Sequence, residues 1–170
     1  TIKYEEVREP KIPRGYVKVK VKAAGLCGSD IQKIFSDKKS LKSIKTKIIG
    51  HEIAGIVYEI NNKKSILKKG DRVVINPLIR SKNKDITKTK SIGKDLPGGF
   101  ADYILAPYKN LRKIPKGITF EEAILVDSIA VAIHGYHLAG LPKEKDILII
   151  GGGSLGLVCL LYTSDAADEL

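Results

Sequence analysis

The amino-acid sequence predicts mixed α and β structure: a small barrel-like β domain, followed by the first strand, turn and helix of an open α/β domain. Three observations predict this order. Short runs that alternate apolar and polar residues, or are rich in β-branched side chains, recur through the first part of the chain. A helix-capping sequence begins at Thr119. An apolar run at residues 146–150 then leads directly into a glycine-rich turn at residues 151–156.

The strands of the first domain are predicted from residue periodicity. Between Gly15 and Ala24, valines alternate with lysines, which is typical of a half-buried strand with one apolar face and one lysine face in water. Apolar, β-branched runs predict further strands at Glu52–Ile60, Arg72–Ile75 and Phe100–Ala106. Several short strands with irregular connections indicate a small barrel-like domain.

The connections between these strands contain a helix, two turns and a loop. Ser29 or Asp30 can cap a short helix that follows the first strand. Glycines predict turns at residues 69–71 and 97–99. Residues 81–96 show little periodicity, so we predict that they form an exposed, mobile loop.

The second part of the chain begins with a predicted helical stretch. Thr119 at the N-cap and Glu122 three residues later form a capping box. Gly140 and Pro142 end the helical stretch. The run at 146–150 is of the kind found in buried parallel strands.

Charge and composition limit the possible partners. The chain has 170 residues and a formal net charge of +11, which invites a nucleic-acid interpretation. The lysine runs at 38–47 and 82–90, however, have few aromatic residues and almost no arginine, which is typical of solvated loops. We therefore predict that no nucleic acid is bound.

Hydropathy and cysteine content predict the compartment. No apolar run approaches the ~20 residues that span a bilayer, and the first residues do not resemble a signal peptide. Only Cys27 and Cys159 are present, far apart, so a disulfide framework is not expected. We expect a cytoplasmic protein without a membrane partner.

Two short segments carry the chemistry. Cys27 lies in one, and His51 with Glu52 in the other. Together they can supply sulfur, nitrogen and oxygen ligands to Zn²⁺, and a catalytic zinc needs three protein ligands and one open position. On chemistry alone, Cys27 could equally be a small buried apolar residue and His51 a hydrogen-bonded core histidine.

These motifs, their order and the 24-residue separation of Cys27 and His51 resemble the zinc-containing medium-chain dehydrogenase/reductase family, in particular its sorbitol, butanediol and threonine dehydrogenase-like members. Residues 69–73, 98–103 and 151–156 also match family positions. The resemblance implies a GroES-like β-barrel catalytic domain, followed by the truncated start of a Rossmann α/β domain.

The resemblance covers residues 1–158 and implies the domain organisation. The catalytic zinc domain would be 1–118, and the helical connector with the first strand, turn and helix of the Rossmann domain would be 119–158. We expect residues 159–170 to be a non-native tail, because this segment has three acids and no base, whereas all 30 lysines and arginines lie at or before Lys145. The chain is then expected to be an N-terminal fragment, inactive by itself.

The family pattern assigns roles to individual residues. Cys27 and His51 fall on its catalytic zinc ligands. Glu52 falls on a carboxylate that either ligates the metal or lies just beyond it. Asp30 would accept a hydrogen bond from the His51 imidazole and fix its tautomer. Ser29 falls on the hydroxyl that passes the alcohol proton away from the metal.

A further carboxylate ligand is expected from the helical connector, where Asp127 occupies the position. Aspartate is one methylene shorter than the glutamate common in the family, so direct ligation and a water bridge both stay open. A helix-cap role for Asp127, ahead of Ser128, is the alternative.

Three departures from the family pattern are expected to matter. Residues 80–96 contain no cysteine, so one catalytic zinc and no structural zinc are expected. Gln32 replaces the histidine that often ends the proton relay, so the proton would leave through water or the pH profile would shift. His134 and His137 form a histidine pair in a helix that is structural in the family, which favours packing or surface roles.

The glycine-rich turn is the predicted cofactor site. Gly151 permits the tight turn, Gly153 lets the backbone approach a pyrophosphate, and Gly156 allows the helix to pack closely. Ser154 and Leu155 begin the helix, whose positive end would face the phosphates. The acidic residue expected ~20 positions onward would distinguish NAD from NADP, and it lies beyond residue 158.

The function predicted is zinc-dependent hydride transfer between a secondary alcohol or polyol, or the matching ketone, and NAD or NADP. The parent enzyme is expected to be a homo-oligomer. Three alternatives stay open: a zinc-free member of the same superfamily, a non-catalytic binding module and a truncated, inactive remnant.

Overall fold

The computed structural model describes residues 2–35, 46–62, 66–80, 88–140 and 147–163. The chain divides into two compact units, Thr1–Ile124 and Leu125–Leu170. The domain boundary predicted after residue 118 and the non-native tail predicted from residue 159 stay predictions. Of that tail, the described residues continue the last helix, and the rest lies outside the described residues.

The first unit is built mainly from short strands. They are β1 (Tyr16–Gly25), β2 (Glu52–Asn61), β3 (Arg72–Ile75), β4 (Leu78–Ile79), β5 (Lys90–Ser91), β6 (Tyr103–Pro107) and β7 (Leu111–Lys113). The helical segments are α1 (Gly28–Phe35), a 3-10 turn (Tyr108–Asn110) and α2 (Phe120–Ala123).

An antiparallel sheet with the strand order β6-β1-β2-β3-β7 forms the frame of this unit, and β4 pairs with β5 beside it. Because successive side chains of a strand point to opposite faces of the sheet, every second residue of each strand lies on the same face, and on one face these residues are apolar. The core that results comprises Val17, Val19, Ile53, Val57, Leu67, Val73, Ile75, Ile92, Ile104, Ala106 and Leu111. The mixed fold class predicted from the sequence is confirmed.

The lysine face predicted for β1 is wrong at Lys18, which is buried. Its ammonium lies 2.8 Å from Glu9 Oε1 and 3.7 Å from Glu59 Oε2, beside the ring of Tyr58. The hydrogen bond that Lys18 donates to Glu9, together with the negative charges of Glu9 and Glu59, raises the pKa of Lys18 against the opposing effect of burial. Alternation predicts which face a side chain takes, but not that another segment covers that face.

The prediction of an exposed loop at residues 81–96 is wrong for the second half of this range. Ile92 is fully buried in the core, and its N–H donates to Pro77 O at 3.0 Å. The N–H of Ser91 donates to Asp95 Oδ2 at 2.9 Å, which closes a turn ending at Leu96. Residues 81–87 of the predicted loop lie outside the described residues.

The second unit contains two described helices, α3 (Val126–Ala139) and α4 (Ser154–Thr163). α3 ends at Gly140, whose φ of 59° is left-handed, as predicted for the helix end. The helical stretch predicted from Thr119 is two helices rather than one, because residues 124–125 interrupt it.

The strand predicted at 146–150 is wrong for its described part. Residues 147–150 form no strand, and Leu148 and Ile150 are 86% and 90% exposed. A parallel strand needs a neighbouring strand for its N–H and C=O groups, and the described residues of this unit contain none.

None of the helices in the described ranges is long and apolar enough to span a bilayer.

Candidate metal centre

Cys27 lies between the end of β1 and the start of α1. Its carbonyl accepts the N–H groups of Asp30 and Ile31, at 2.9 and 3.2 Å, and so begins the helix. In return, the N–H of Cys27 donates to Asp30 Oδ2 at 3.3 Å. The prediction that Ser29 or Asp30 caps the helix is therefore wrong, because both residues lie inside its first turn and Asp30 reaches back to Cys27.

His51 and Glu52 lie where β2 begins, after a tightly packed backbone crossing. The N–H groups of Gly98 and Gly99 donate to Ile48 O and Gly50 O, at 2.8 and 2.9 Å. A Cβ atom on Gly98 would lie 2.3 Å from Ile49 O, so only glycine permits the approach. The turn predicted at residues 97–99 is instead this crossing, which fixes the chain directly before His51.

The pairing of β1 with β2 brings the two motif segments together. Gly25 is the partner of Glu52 in this antiparallel register. One potential ligand atom each from Cys27, His51 and Glu52 lies within 4.8 Å of the other two. All three side chains are half-buried, so a bound ion would be partly shielded and still accessible.

The lack of a side chain on Gly25 makes room for the Glu52 carboxylate. A Cβ atom at that position would lie 2.1 Å from Glu52 Oε2. Since real Cβ contacts are far longer, an alanine there would force the carboxylate or the strand to move.

Asp30 is the fully buried charge of the centre, with 0% exposure. Its Oδ2 lies 3.2 Å from His51 Nδ1, a hydrogen-bond distance, although the N–H is not aligned on the oxygen and Nδ1 has no well-oriented partner. Nδ1 faces Asp30, which leaves Nε2 as the ring nitrogen available to a metal.

Lys33 supplies the positive charge beside Asp30. Its ammonium donates to Asp30 Oδ1 at 2.9 Å and to Gly93 O at 3.4 Å. Lys33 was not predicted from the sequence. Its separation of three residues from Asp30 on a helix was the signal that could have found it.

The donor set fits zinc. A thiolate, an imidazole and a carboxylate are the usual protein ligands of Zn²⁺, and three of them leave one position open. Ligands of a tetrahedral zinc lie roughly 3.5 Å apart. The three atoms, within 4.8 Å of one another, therefore need only a modest closing to bind one ion.

The remaining predicted site residues are less closely tied to this centre. Ser29 lies in the first turn of α1 and is half-buried, and Gln32 follows in the same helix with its side chain exposed. Asp127 lies in the first turn of α3, in the second unit, so its role as a ligand stays a prediction. His134 and His137 are exposed on α3, in agreement with a surface role.

The glycine-rich turn has the backbone that its motif predicts. Gly151 has a φ of 107°, which only glycine adopts readily. A Cβ atom on Gly156 would lie 2.0 Å from Gly151 O, so α4 packs directly on the turn. Gly153 O accepts the N–H of Leu157 at 2.9 Å, and no atom lies within 4 Å of a Cβ placed on Gly153. α4 begins at Ser154, which is exposed, and the N–H groups of a helix N-terminus can bind an anion.

The fold and the candidate site indicate a class of protein, and comparison with known proteins shows the same class. The alcohol dehydrogenase GroES-like domain family matches residues 13–116, so the chain belongs to that family. It is a member of the zinc-containing medium-chain dehydrogenases and reductases, as the resemblance of its motifs implied.

Individual relatives have related activities. Sorbitol dehydrogenase 2 of Saccharomyces cerevisiae is 33% identical over 154 residues, which cover 84% of this chain and 43% of that protein. The crystal structure of galactitol-1-phosphate dehydrogenase from Escherichia coli has a TM-score of 0.82 at 29% identity, covering 94% of this chain and 48% of that one. A protein of Sinorhizobium meliloti described as a zinc-binding dehydrogenase, solved bound to NADP, has a TM-score of 0.80 at 27% identity, covering 91% and 47%. The chain spans about half the length of these relatives.

Proposed function

We propose that Cys27, His51 and Glu52 hold one catalytic zinc ion, and that this chain forms the metal-binding part of an NAD- or NADP-linked alcohol or polyol dehydrogenase. The observation that carries the proposal is the convergence of three ligand atoms within 4.8 Å, in a chain of this family. The relatives named for sorbitol and galactitol 1-phosphate support a polyol or secondary alcohol as the substrate class.

In this proposal, the residues around the centre have different roles. A bound zinc ion supplies a Lewis acid that lowers the pKa of an alcohol at neutral pH. Asp30 orients the His51 ring and fixes which nitrogen is free for the metal. Ser29, in the first turn of α1, carries the proton of the alcohol away. Gln32 cannot act as a base, so the proton passes to water.

The second unit contributes the start of the cofactor site. The N–H groups of Ser154 and Leu155, at the beginning of α4, would hold the pyrophosphate of NAD or NADP, and Gly153 would let it approach the backbone. In the whole enzyme, which is a homo-oligomer in this proposal, bound NAD or NADP would supply the hydride-transfer chemistry. The partners are small molecules and neither nucleic acid nor a membrane.

The test of the metal site is zinc content. The chain is purified without added metal, given one equivalent of Zn²⁺, desalted and analysed for zinc. We expect one zinc per chain in the wild type, and almost none in Cys27→Ser or His51→Gln. Cys159→Ser is the matched control, because this second cysteine lies in the other unit, and it should retain its zinc. A full zinc content in Cys27→Ser would show that the ligand assignment is wrong.

The test of the activity needs the chain joined to a complete cofactor domain. Sorbitol, other polyols and secondary alcohols are offered with NAD⁺ and with NADP⁺, and reduced cofactor is followed by absorbance. We expect turnover that a zinc chelator abolishes and that added Zn²⁺ restores. A zinc-loaded protein that binds NAD(P) but oxidises none of these alcohols would favour the non-catalytic alternative.

A further inference from the structure

Lys33 is an almost buried cation that the proposed function does not use. Its side chain is 18% exposed, and its partner Asp30 is fully buried. Burying a carboxylate is costly unless hydrogen bonds and an opposite charge compensate for the lost water. Lys33 provides both to Asp30, at 2.9 Å.

The second contact of Lys33 reaches a distant part of the chain. Its ammonium also lies 3.4 Å from the carbonyl of Gly93, 60 residues away. Gly93 packs in turn against Gly50, since a Cβ atom on Gly93 would lie 2.7 Å from Gly50 O. Gly50 directly precedes His51. Lys33 therefore connects the helix that begins after Cys27 with the backbone that positions His51.

We propose that Lys33 is a positioning residue of the metal centre, which holds the Asp30 carboxylate and the Gly93 turn in the arrangement that brings Cys27 and His51 to one ion. The inference rests on the proposed zinc site. It concerns geometry, because Lys33 acts through Asp30 and Gly93 and does not touch the metal or the substrate.

Charge and position predict opposite effects of removing this lysine. Deleting an ammonium near a divalent cation would by charge alone make zinc bind more tightly. Loss of the partner of a metal ligand typically weakens metal binding by roughly 10- to 100-fold, and Lys33 holds such a partner, Asp30, so its loss should weaken binding toward the lower end of that range. The direction of the change therefore distinguishes a positioning residue from a neighbouring charge.

The experiment compares Lys33→Met with Lys33→Arg and with Lys22→Met, which removes an exposed lysine from β1. Zinc affinity of the whole chain is measured by competition with a chromophoric chelator, and the Co²⁺-loaded proteins are compared by visible absorption. We expect Lys33→Met to lose roughly 10-fold in zinc affinity, with changed Co²⁺ bands. Lys33→Arg, which retains the charge and the donors, should recover most of the affinity, and Lys22→Met should match the wild type.

A double-mutant cycle with Asp30→Asn tests the route. If Lys33 acts through Asp30, Lys33→Met should cost much less zinc affinity in the Asp30→Asn background than in the wild type. Circular dichroism checks that each variant is folded, and Lys33→Gln replaces Lys33→Met, with the same expectation, if the latter does not fold.

The outcomes separate this inference from the proposed function. If Lys33→Met binds zinc as tightly as the wild type or more tightly, with unchanged Co²⁺ bands, the inference is overturned while the zinc site stands. Additive losses in the cycle also overturn it. If the wild type takes up no zinc, or Cys27→Ser takes up as much, the proposed function itself fails.

Discussion

Gly25 and Glu52 face each other at the point where the pairing of β1 with β2 brings together the two segments of the proposed metal centre. The pair shows why a residue without a functional group can decide the chemistry of a site. The Glu52 carboxylate occupies the space that any side chain at position 25 would need. A glycine at the end of a strand therefore makes room for one side chain of the proposed metal centre.

We expect a larger residue in place of Gly25 to weaken metal binding. In Gly25→Ala the new methyl group would lie where Glu52 Oε2 now lies, so the carboxylate must turn away or the strands must separate. We expect zinc affinity to fall by about 10-fold or more, by analogy with other losses of support at metal sites. Competition with a chelator measures the change.

The matched control is Gly28→Ala, because a Cβ atom there meets no atom within 4 Å. It should bind zinc like the wild type. Equal zinc affinity in Gly25→Ala and the wild type would mean that Glu52 does not ligate the ion. The lost affinity should also be smaller in a Glu52→Gln background, where there is less binding to lose.

Among individual residues, the sequence predicts which three proposed ligands come together more readily than which residues support them. Cys27, His51 and Glu52 lie in short motifs that can be read locally. The role of Lys33 depends on Gly93, which is 60 residues away and reaches the centre only when the sheet has formed. Gly98 was predicted as part of a turn, because glycine has the same signature in a turn and in a close backbone crossing.

Among the elements, long strands were predicted and short ones were not. β1 is long enough to show alternation, β2, β3 and β6 contain apolar, β-branched runs, and the structure confirms these four strands. β4, β5 and β7 have two or three residues each, too few for any period. They form because a neighbouring strand supplies their hydrogen-bond partners, which is tertiary information.

An ion pair between Asp71, directly before β3, and Lys113 in β7 predicts that the stability of the first unit depends on pH. Asp71 Oδ2 lies 2.8 Å from the ammonium of Lys113 and accepts the N–H of Lys68 at 2.7 Å. Burial alone would raise the pKa of Asp71, but these hydrogen bonds and charges outweigh it and lower the pKa below its ordinary value. The contribution of Asp71 is therefore present above about pH 4, the unfolded value, and is lost as pH falls through the lower folded value.

We expect the wild type to have a higher Tm than Asp71→Asn at pH 7, and this difference to shrink steadily below about pH 4. Asp102→Asn, which changes an exposed acid in the same unit, should show no such pH-dependent difference. A Tm difference between wild type and Asp71→Asn that stays constant from pH 7 to pH 3 would contradict the assigned ion pair.

The capping box at the start of α2 was predicted and is confirmed. Thr119 Oγ1 accepts the N–H of Glu122 at 3.1 Å, and the Glu122 carboxylate accepts the N–H of Thr119 at 2.7 Å. The hydrogen bonds from the backbone and hydroxyl of Thr119 lower the pKa of Glu122. The ring of Phe120 lies 4.5 Å from the Arg72 guanidinium, so the cap also fixes a helix that packs on the sheet.

Removing the cap should lower the stability of the first unit. We expect Thr119→Ala to reduce the free energy of unfolding by about 1 kcal/mol, measured by urea denaturation, because one helical N–H loses its acceptor. Glu121→Gln, in the same helical turn but outside the box, is the control and should change little. An unchanged midpoint for Thr119→Ala would mean that α2 unfolds separately from the sheet.

For the whole molecule, the two units differ in how well they bury their apolar residues. The first unit has a continuous core between its strands. In the second, the described apolar side chains are largely exposed, including Val131, Leu138, Leu148, Ile150, Leu157 and Leu161. The sequence predicts a buried strand at 146–150 because its residues suit one, yet burial requires neighbouring strands that the described part of the chain does not provide.

This difference predicts that the first unit suffices for zinc binding. A chain ending at Ile124 retains the core and all three converging ligand atoms, so we expect it to bind one Zn²⁺ as tightly as the whole chain. Exposed apolar surface favours association, so the whole chain should also self-associate with rising concentration while the shorter chain stays monomeric. Size-exclusion chromatography and chelator competition measure the two properties.

The same comparison decides between the two candidate carboxylates. Glu52 lies in the first unit and Asp127 in the second. If Glu52 is the ligand, truncation after Ile124 and the change Asp127→Asn in the whole chain both leave zinc affinity unaltered, whereas Glu52→Gln weakens it. If the shorter chain is folded but binds zinc weakly, and Asp127→Asn weakens the whole chain to the same degree, then Asp127 is the ligand. In that case the role proposed here for Glu52 is wrong, because the metal would depend on a residue from the second unit.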